Sequence, residues 1–325
     1  MAIATRLTER LGIAHPILSA PMALAAGGKL AAAVSNAGGL GFIGGGYGDG
    51  DWIAEQFRAA GNASVGCGFI TWSMAKQPQL LATALEHKPK ALFLSFGDPT
   101  PFVAQIHAAG VLAIQQVQTV RDAQIAIDAG CDMIVAQGAE AGGHGEKRAT
   151  MTLVPEVADL IARRAPTTLL CAAGGIADGR GLAAALMLGA DGAVVGSRFW
   201  ATPEALVHAN LHAAALAATG DDTVRQSVTD IVRGWDWPER FNIRVVRNAY
   251  VNAWLGREGD LRAGVEPERA RYAEAASAGD ATTVAAIAGE AAGLIHAIEP
   301  AAVIVQRLVA EAEALLGGGW RRTGR

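Results

Sequence analysis

Asp132-Met133-Ile134-Val135-Ala136-Gln137-Gly138-Ala139-Glu140-Ala141-Gly142-Gly143-His144-Gly145-Glu146 is an apolar run that ends in glycines and a single histidine. After Asp132 the run is continuously apolar rather than alternating, which marks a strand buried on both faces, of the parallel kind. A histidine delivered by a glycine-rich loop past the carboxyl end of such a strand sits where α/β folds place their chemistry. His144 is therefore the candidate proton-handling residue, because an imidazole titrates near neutrality. A loop histidine with no role, or one that caps a helix, is the other reading.

Working outward, similar runs recur at Pro16–Ala20, Gly39–Ile43, Ser64–Ile70, Ala91–Phe96, Val111–Val117, Asp132–Gln137, Thr168–Ala173 and Gly192–Gly196. Eight is the number that a (β/α)8 TIM barrel requires. Segments with apolar spacing near 3.6, such as Gln77–His87, Pro101–Ala109, Val120–Ala129 and Asp178–Leu188, predict the intervening helices. Several close on a glycine that leads straight into the next strand, as in Ala109-Gly110 and Ala129-Gly130. The pattern changes after Gly196. A helix is expected over Pro203–Leu216, and residues 218–297 read as a mostly helical excursion without strand alternation. Pro300–Leu316 reads as a last helix, closed by Gly317-Gly318-Gly319, with Trp320–Arg325 a loose tail. The expected organisation is a barrel over 1–217, an excursion or lid over 218–297, and a returning helix plus tail over 298–325. An aromatic cluster (Trp235, Trp237, Phe241, Tyr250, Trp254) reads first as a small core holding the excursion down, and second as a lining of the substrate cavity.

The 325 residues balance 27 basic against 31 acidic side chains, with no broad positive footprint for nucleic acid. The 40 glycines point to close approaches of backbone to backbone and to ligands. Cys67, Cys131 and Cys171 are scattered without CxxC spacing, so neither a disulfide framework nor a zinc site is expected. Met1 to Leu11 lacks the features of a signal peptide, and no run approaches the roughly 18 apolar residues that span a bilayer. A cytoplasmic protein without membrane contact is expected.

Gly39-Leu40-Gly41-Phe42-Ile43-Gly44 matches G-x-G-x-x-G, but its glycines fall within a strand and more glycines follow where a helix should start, so it is no dinucleotide turn. Cys171-Ala172-Ala173-Gly174-Gly175-Ile176 and Ala193-Val194-Val195-Gly196-Ser197 end strands seven and eight, whose loops often bind phosphate through backbone N–H groups in such barrels. Asp178 is expected to cap the following helix. His208 and His212 stand at i, i+4 without a third ligand, which argues against a metal. Glu140 is a candidate to orient the imidazole, or a solvated loop carboxylate.

Taken together with Ser19-Ala20-Pro21-Met22, these strings in this order make the chain resemble the nitronate monooxygenases, formerly called 2-nitropropane dioxygenases, from about residue 10 to 205. A further echo lies in Arg244-Val245-Val246-Arg247-Asn248-Ala249. The resemblance implies an FMN-dependent TIM barrel. It places Ala20, Pro21 and Met22 beside the isoalloxazine and Gln115 and Gln137 on the flavin or ribityl chain. Gly174, Gly175, Gly196 and Ser197 would hold the phosphate, and Gly68 and Gly142 complete the implied cofactor contacts. His144 would be the base that takes a proton from the carbon beside a nitro group, with molecular oxygen completing oxidation to a carbonyl compound and nitrite. The implied partners are a nitronate or nitroalkane and O2, in a monomer or homodimer. Many members carry Val-Asn-Leu on the third strand where this chain has Cys67-Gly68-Phe69, so an asparagine contact to the flavin is missing. A similar Glu-Ala-Gly-Gly-His string also occurs in FMN-dependent enoyl-acyl-carrier-protein reductases and NADH:quinone reductases, which leaves an NAD(P)H-dependent flavin reductase of quinones or enoyl thioesters as the alternative.

Overall fold

In the computed structural model, which describes residues 3–319, each of the eight apolar runs is a strand. They are β1 (Ile17–Ser19), β2 (Phe42–Gly46), β3 (Gly66–Ile70), β4 (Ala91–Ser95), β5 (Leu112–Val117), β6 (Met133–Gln137), β8 (Leu169–Ala173) and β9 (Gly192–Val195). All pair in parallel in the order β1-β9-β8-β6-β5-β4-β3-β2. A bridge between Leu18 and Leu40 closes the ring, with Ser19 donating to Leu40 O at 3.0 Å. The chain folds as a (β/α)8 barrel with a mostly helical C-terminal excursion.

The strands are apolar on both faces because both are covered. Leu18, Phe42, Phe93, Ile114, Val135, Cys171 and Val194 fill the interior, with Phe42 and Phe93 meeting edge to face at 5.5 Å. Their neighbours along each strand, such as Ile43, Leu92 and Ile134, pack outward against the helices. Leu7 and Leu11 of the helix Arg6–Leu11 plug the interior from the amino-terminal end of the strands. Arg6 anchors that plug through a bidentate pair with Asp191, at 2.8 and 2.7 Å. Asp178 caps the helix Gly179–Met187 by accepting from the N–H groups of Arg180 and Gly181.

The helix Ala301–Leu316 fits between the helices Gly28–Asn36 and Gly179–Met187 and completes the outer ring. The segment before it therefore interrupts the last β/α unit. Three differences from the sequence reading arise there. The helix expected from Pro203 begins at Ala209. The glycine-rich loop is in part a strand, β7 (Gly143–Gly145), and residues 218–297 contain two strands, β10 (Thr223–Gln226) and β11 (Asn242–Val246). These form an antiparallel sheet, β10-β11-β7, in which His144 pairs with Ile243. Arg225 staples this sheet to the loop, donating to Asn242 O at 2.8 Å and Ala139 O at 3.0 Å. The expectation for Trp320–Arg325 lies outside the described residues. No helix among the described residues is long and apolar enough to cross a membrane.

Candidate active site

A cavity of about 1250 Å³, counting its open mouth, lies over the carboxyl ends of the barrel strands. His144 lines it, held by the β7–β11 pairing and 9% exposed. Its Nε2 lies 3.0 Å from both oxygens of Asp230, a residue 4% exposed on the helix Val228–Arg233. A carboxylate accepts only, so Nε2 carries the proton and Nδ1 keeps its lone pair. Burial holds the imidazole below its ordinary value, Asp230 draws it back up, and the charges of Arg233 and Arg225 push it down again. The ring is neutral at neutral pH.

Aromatic rings enclose this end. Trp237 lies flat on His144, centroids 3.4 Å apart and planes within 9°. Its Nε1 donates to the hydroxyl of Tyr47 at 3.0 Å, and Tyr47 stacks on Trp235 at 3.6 Å. Burial pushes the Tyr47 phenol up to about 12. Phe96 sits 6.1 Å from His144 with φ at +62°, a left-handed conformation that is costly outside glycine and recurs at functional sites. The predicted aromatic cluster is thus divided. Trp237 lines the cavity, whereas Tyr250 and Trp254 belong to the excursion's own core with Val228, Ile231 and Tyr272.

At the opposite end the cavity is bounded by Gly174, Gly175, Gly196 and Ser197. Gly174 and Gly175 have φ of +105° and +75°, a turn that L residues resist. Among the described residues the N–H groups of Gly174, Gly175 and Ser197 have no acceptor. Ala20, Pro21, Met22, Gln137 and Gly142 also line the cavity. Gln137 Oε1 accepts from the amides of Gln116 and Gln118, at 3.1 and 2.8 Å, which leaves its own NH2 free to face a ligand.

Two of the expected contacts are elsewhere. Gln115 points from β5 into the helix layer and donates to Gly97 O and Gln116 O; Gln116, one residue on, lines the cavity instead. Both faces of β5 are buried, so no polar alternation showed which glutamine turns inward. Gly68 lies under Pro21, where a Cβ would stand 2.4 Å from Pro21 Cβ, and does not reach the cavity. Glu140 does not orient the imidazole: it accepts from the N–H and hydroxyl of Thr150. His208 caps the helix Ala209–Leu216, and His212 Nε2 meets Trp200 O at 2.9 Å. Cys67, Cys131 and Cys171 are buried free thiols. Asp230, Tyr47, Phe96 and Gln116 escaped the sequence reading. Asp230 is 86 residues from His144 in a short helix without a motif.

A closed barrel with a histidine–carboxylate pair in a cavity at its mouth defines a (β/α)8-barrel enzyme with its site at the carboxyl ends of the strands. The family model for nitronate monooxygenase matches residues 4–66 and 69–311, and so covers nearly the whole chain. A nitronate monooxygenase of Neurospora crassa is 35% identical over 91% of this chain and 89% of its own. Among solved structures, FabK from Thermotoga maritima superposes with a TM-score of 0.85 at 31% identity, covering 97% of this chain and 98% of that one. Nitroalkane oxidase from Streptomyces ansochromogenes superposes at 0.81 and 25% identity, covering 97% and 99%. The chain belongs to the nitronate monooxygenase family and is an oxidoreductase. The family match breaks at Cys67 and Gly68, where Pro21 occupies the space a larger residue 68 would need.

Proposed function

We propose that this chain oxidises alkyl nitronates, and the nitroalkanes that yield them, with bound FMN and molecular oxygen, to a carbonyl compound and nitrite. The observation that carries the reading is His144: a buried, neutral imidazole with Nε2 fixed by Asp230 and Nδ1 unused by the described residues, lining one cavity with the glycine turns Gly174-Gly175 and Gly196-Ser197.

The residues present suit a flavin mononucleotide. The acceptor-free N–H groups of Gly174, Gly175 and Ser197 suit a phosphate, and the free amide of Gln137 suits the polar middle of the molecule. Ala20, Pro21 and Met22 supply a side-chain-poor wall for a flat ring, and Gly142 and Gly196 border the same space. The chemistry that FMN supplies when bound is electron transfer from the nitronate to oxygen.

The chain's own part is proton handling. With a neutral nitroalkane, Nδ1 of His144 takes the proton from the carbon beside the nitro group, and Asp230 stabilises the imidazolium that results. Trp237 packed on one face keeps the ring from turning and shields it from water. A preformed nitronate needs no such step.

Anaerobic titration of the yellow protein is the test. Bleaching by ethyl nitronate, with nitrite formed on readmitting oxygen, is the expected result. Bleaching by NADH or NADPH, with no response to nitronate, would replace this reading with the flavin reductase of quinones or enoyl thioesters.

A further inference from the structure

Besides the backbone N–H groups and the Gln137 amide described above, two side-chain donors line the cavity without acceptors among the described residues. Arg233, the last residue of the helix Val228–Arg233, is half-buried and is the one cationic side chain among the described residues lining the cavity. Its guanidinium makes no ion pair or hydrogen bond among the described residues. The neighbouring carboxylates are committed elsewhere. Both oxygens of Asp230, one turn earlier on the same helix, face His144, and Glu140 accepts from Thr150. The second donor is Tyr47. Its oxygen accepts from Trp237 Nε1, and its proton has no acceptor among the described residues.

A cation in an aromatic-walled cavity is costly unless a ligand supplies the opposing charge. The planar fork of a guanidinium matches an anion that presents two coplanar oxygens. We propose that Arg233, assisted by the Tyr47 hydroxyl, seats the two oxygens of the substrate's nitronate group and makes this cavity a receptor for the anion. The inference rests on the proposed function and adds the group that recognises the substrate. Charge balance follows from it. With His144 neutral, both Asp230 oxygens are held by the imidazole N–H, and Arg233 has no hydrogen-bonded counter-ion among the described residues. Once His144 has taken a proton from a neutral nitroalkane, His144 and Asp230 cancel, and Arg233 is left to match the nitronate formed.

The test uses the flavin-loaded enzyme with Arg233→Met and Arg233→Lys. Ethyl nitronate is an anion before and during reaction, so Arg233→Met is expected to raise its KM tenfold or more with a smaller change in kcat. Nitroethane becomes anionic only as its proton leaves, so its loss is expected in kcat. Arg233→Lys restores part of each. Nitrate, an inert planar oxyanion, serves as a binding probe read by the flavin's visible spectrum, and its Kd is expected to rise tenfold or more in Arg233→Met. An unchanged nitronate KM together with an unchanged nitrate Kd would overturn the proposal. If the wild-type enzyme ignores nitronates, the functional reading fails, and the nitrate titration alone still decides whether Arg233 seats an anion. Tyr47→Phe is expected to weaken nitrate binding less than Arg233→Met, and an effect larger than that of Arg233→Met would overturn the ranking of the two donors.

Discussion

Both carboxylate oxygens of Asp230 stand 3.0 Å from Nε2 of His144, joining the excursion helix to the strand β7 across 86 residues of sequence. Asp230→Asn keeps an acceptor for Nε2–H and removes the charge that raises the basicity of the ring. Turnover of neutral nitroalkanes is expected to fall on the order of tenfold or more, because a weaker base takes the carbon-bound proton more slowly. Turnover of preformed nitronates should change far less. Equal losses on both substrates would make Asp230 a purely structural partner.

The pH profile of kcat/KM for a neutral nitroalkane should follow His144. The burial-lowered imidazole is the active base when neutral, so activity is expected to be level through neutrality and to fall only on acidification below its ordinary value of about 6.5. Asp230→Asn removes the interaction that raises it, so the acid limb should shift to still lower pH. A limb that moves upward would contradict this electrostatic account.

Trp237 lies on His144 and ties to Tyr47, which narrows the cavity at the base. In Trp237→Ala, kcat/KM for hexyl nitronate relative to ethyl nitronate is expected to rise about tenfold, the scale set by a few methylenes in an apolar pocket. A series of chain lengths measured on both enzymes would show it. No change in the ratio would mean that the indole does not limit chain length.

Gly68→Asn would introduce the asparagine expected on this strand from the sequence resemblance and place it against Pro21. Overpacking of this kind costs about 1–3 kcal/mol. Urea unfolding should register the loss, and the displaced Pro21 should lower flavin content. A stable variant with full flavin would show that the Pro21 turn yields easily.

Arg225 donates to Ala139 O, Ala141 O and Asn242 O and holds the loop that carries His144. In Arg225→Met these half-buried carbonyls lose their donor, at about 1 kcal/mol for a hydrogen bond removed where water can still reach. Thermal unfolding of the flavin-loaded protein measures that cost. Activity on nitroalkanes should fall with it, because β7 is no longer fixed.

The sequence by itself determined the barrel and pointed to the place of its candidate site. Eight continuously apolar runs, helices closing on Gly110 and Gly130, the Asp178 cap and a histidine past the sixth barrel strand are local properties, set by side-chain periodicity and backbone preference within a few residues. Tertiary structure decided what His144 can do. Its partner Asp230 comes from a distant helix, its loop becomes a strand only because β11 pairs with it, and Trp237 covers it from the excursion. The same limit explains Gln115 and Gly68. On a strand buried on both faces polarity does not tell which side chain turns inward, and the room at residue 68 depends on where Pro21 folds back. Pairings between residues far apart in the chain leave no periodic trace, because they are selected by burial and complementary charge after the barrel has formed.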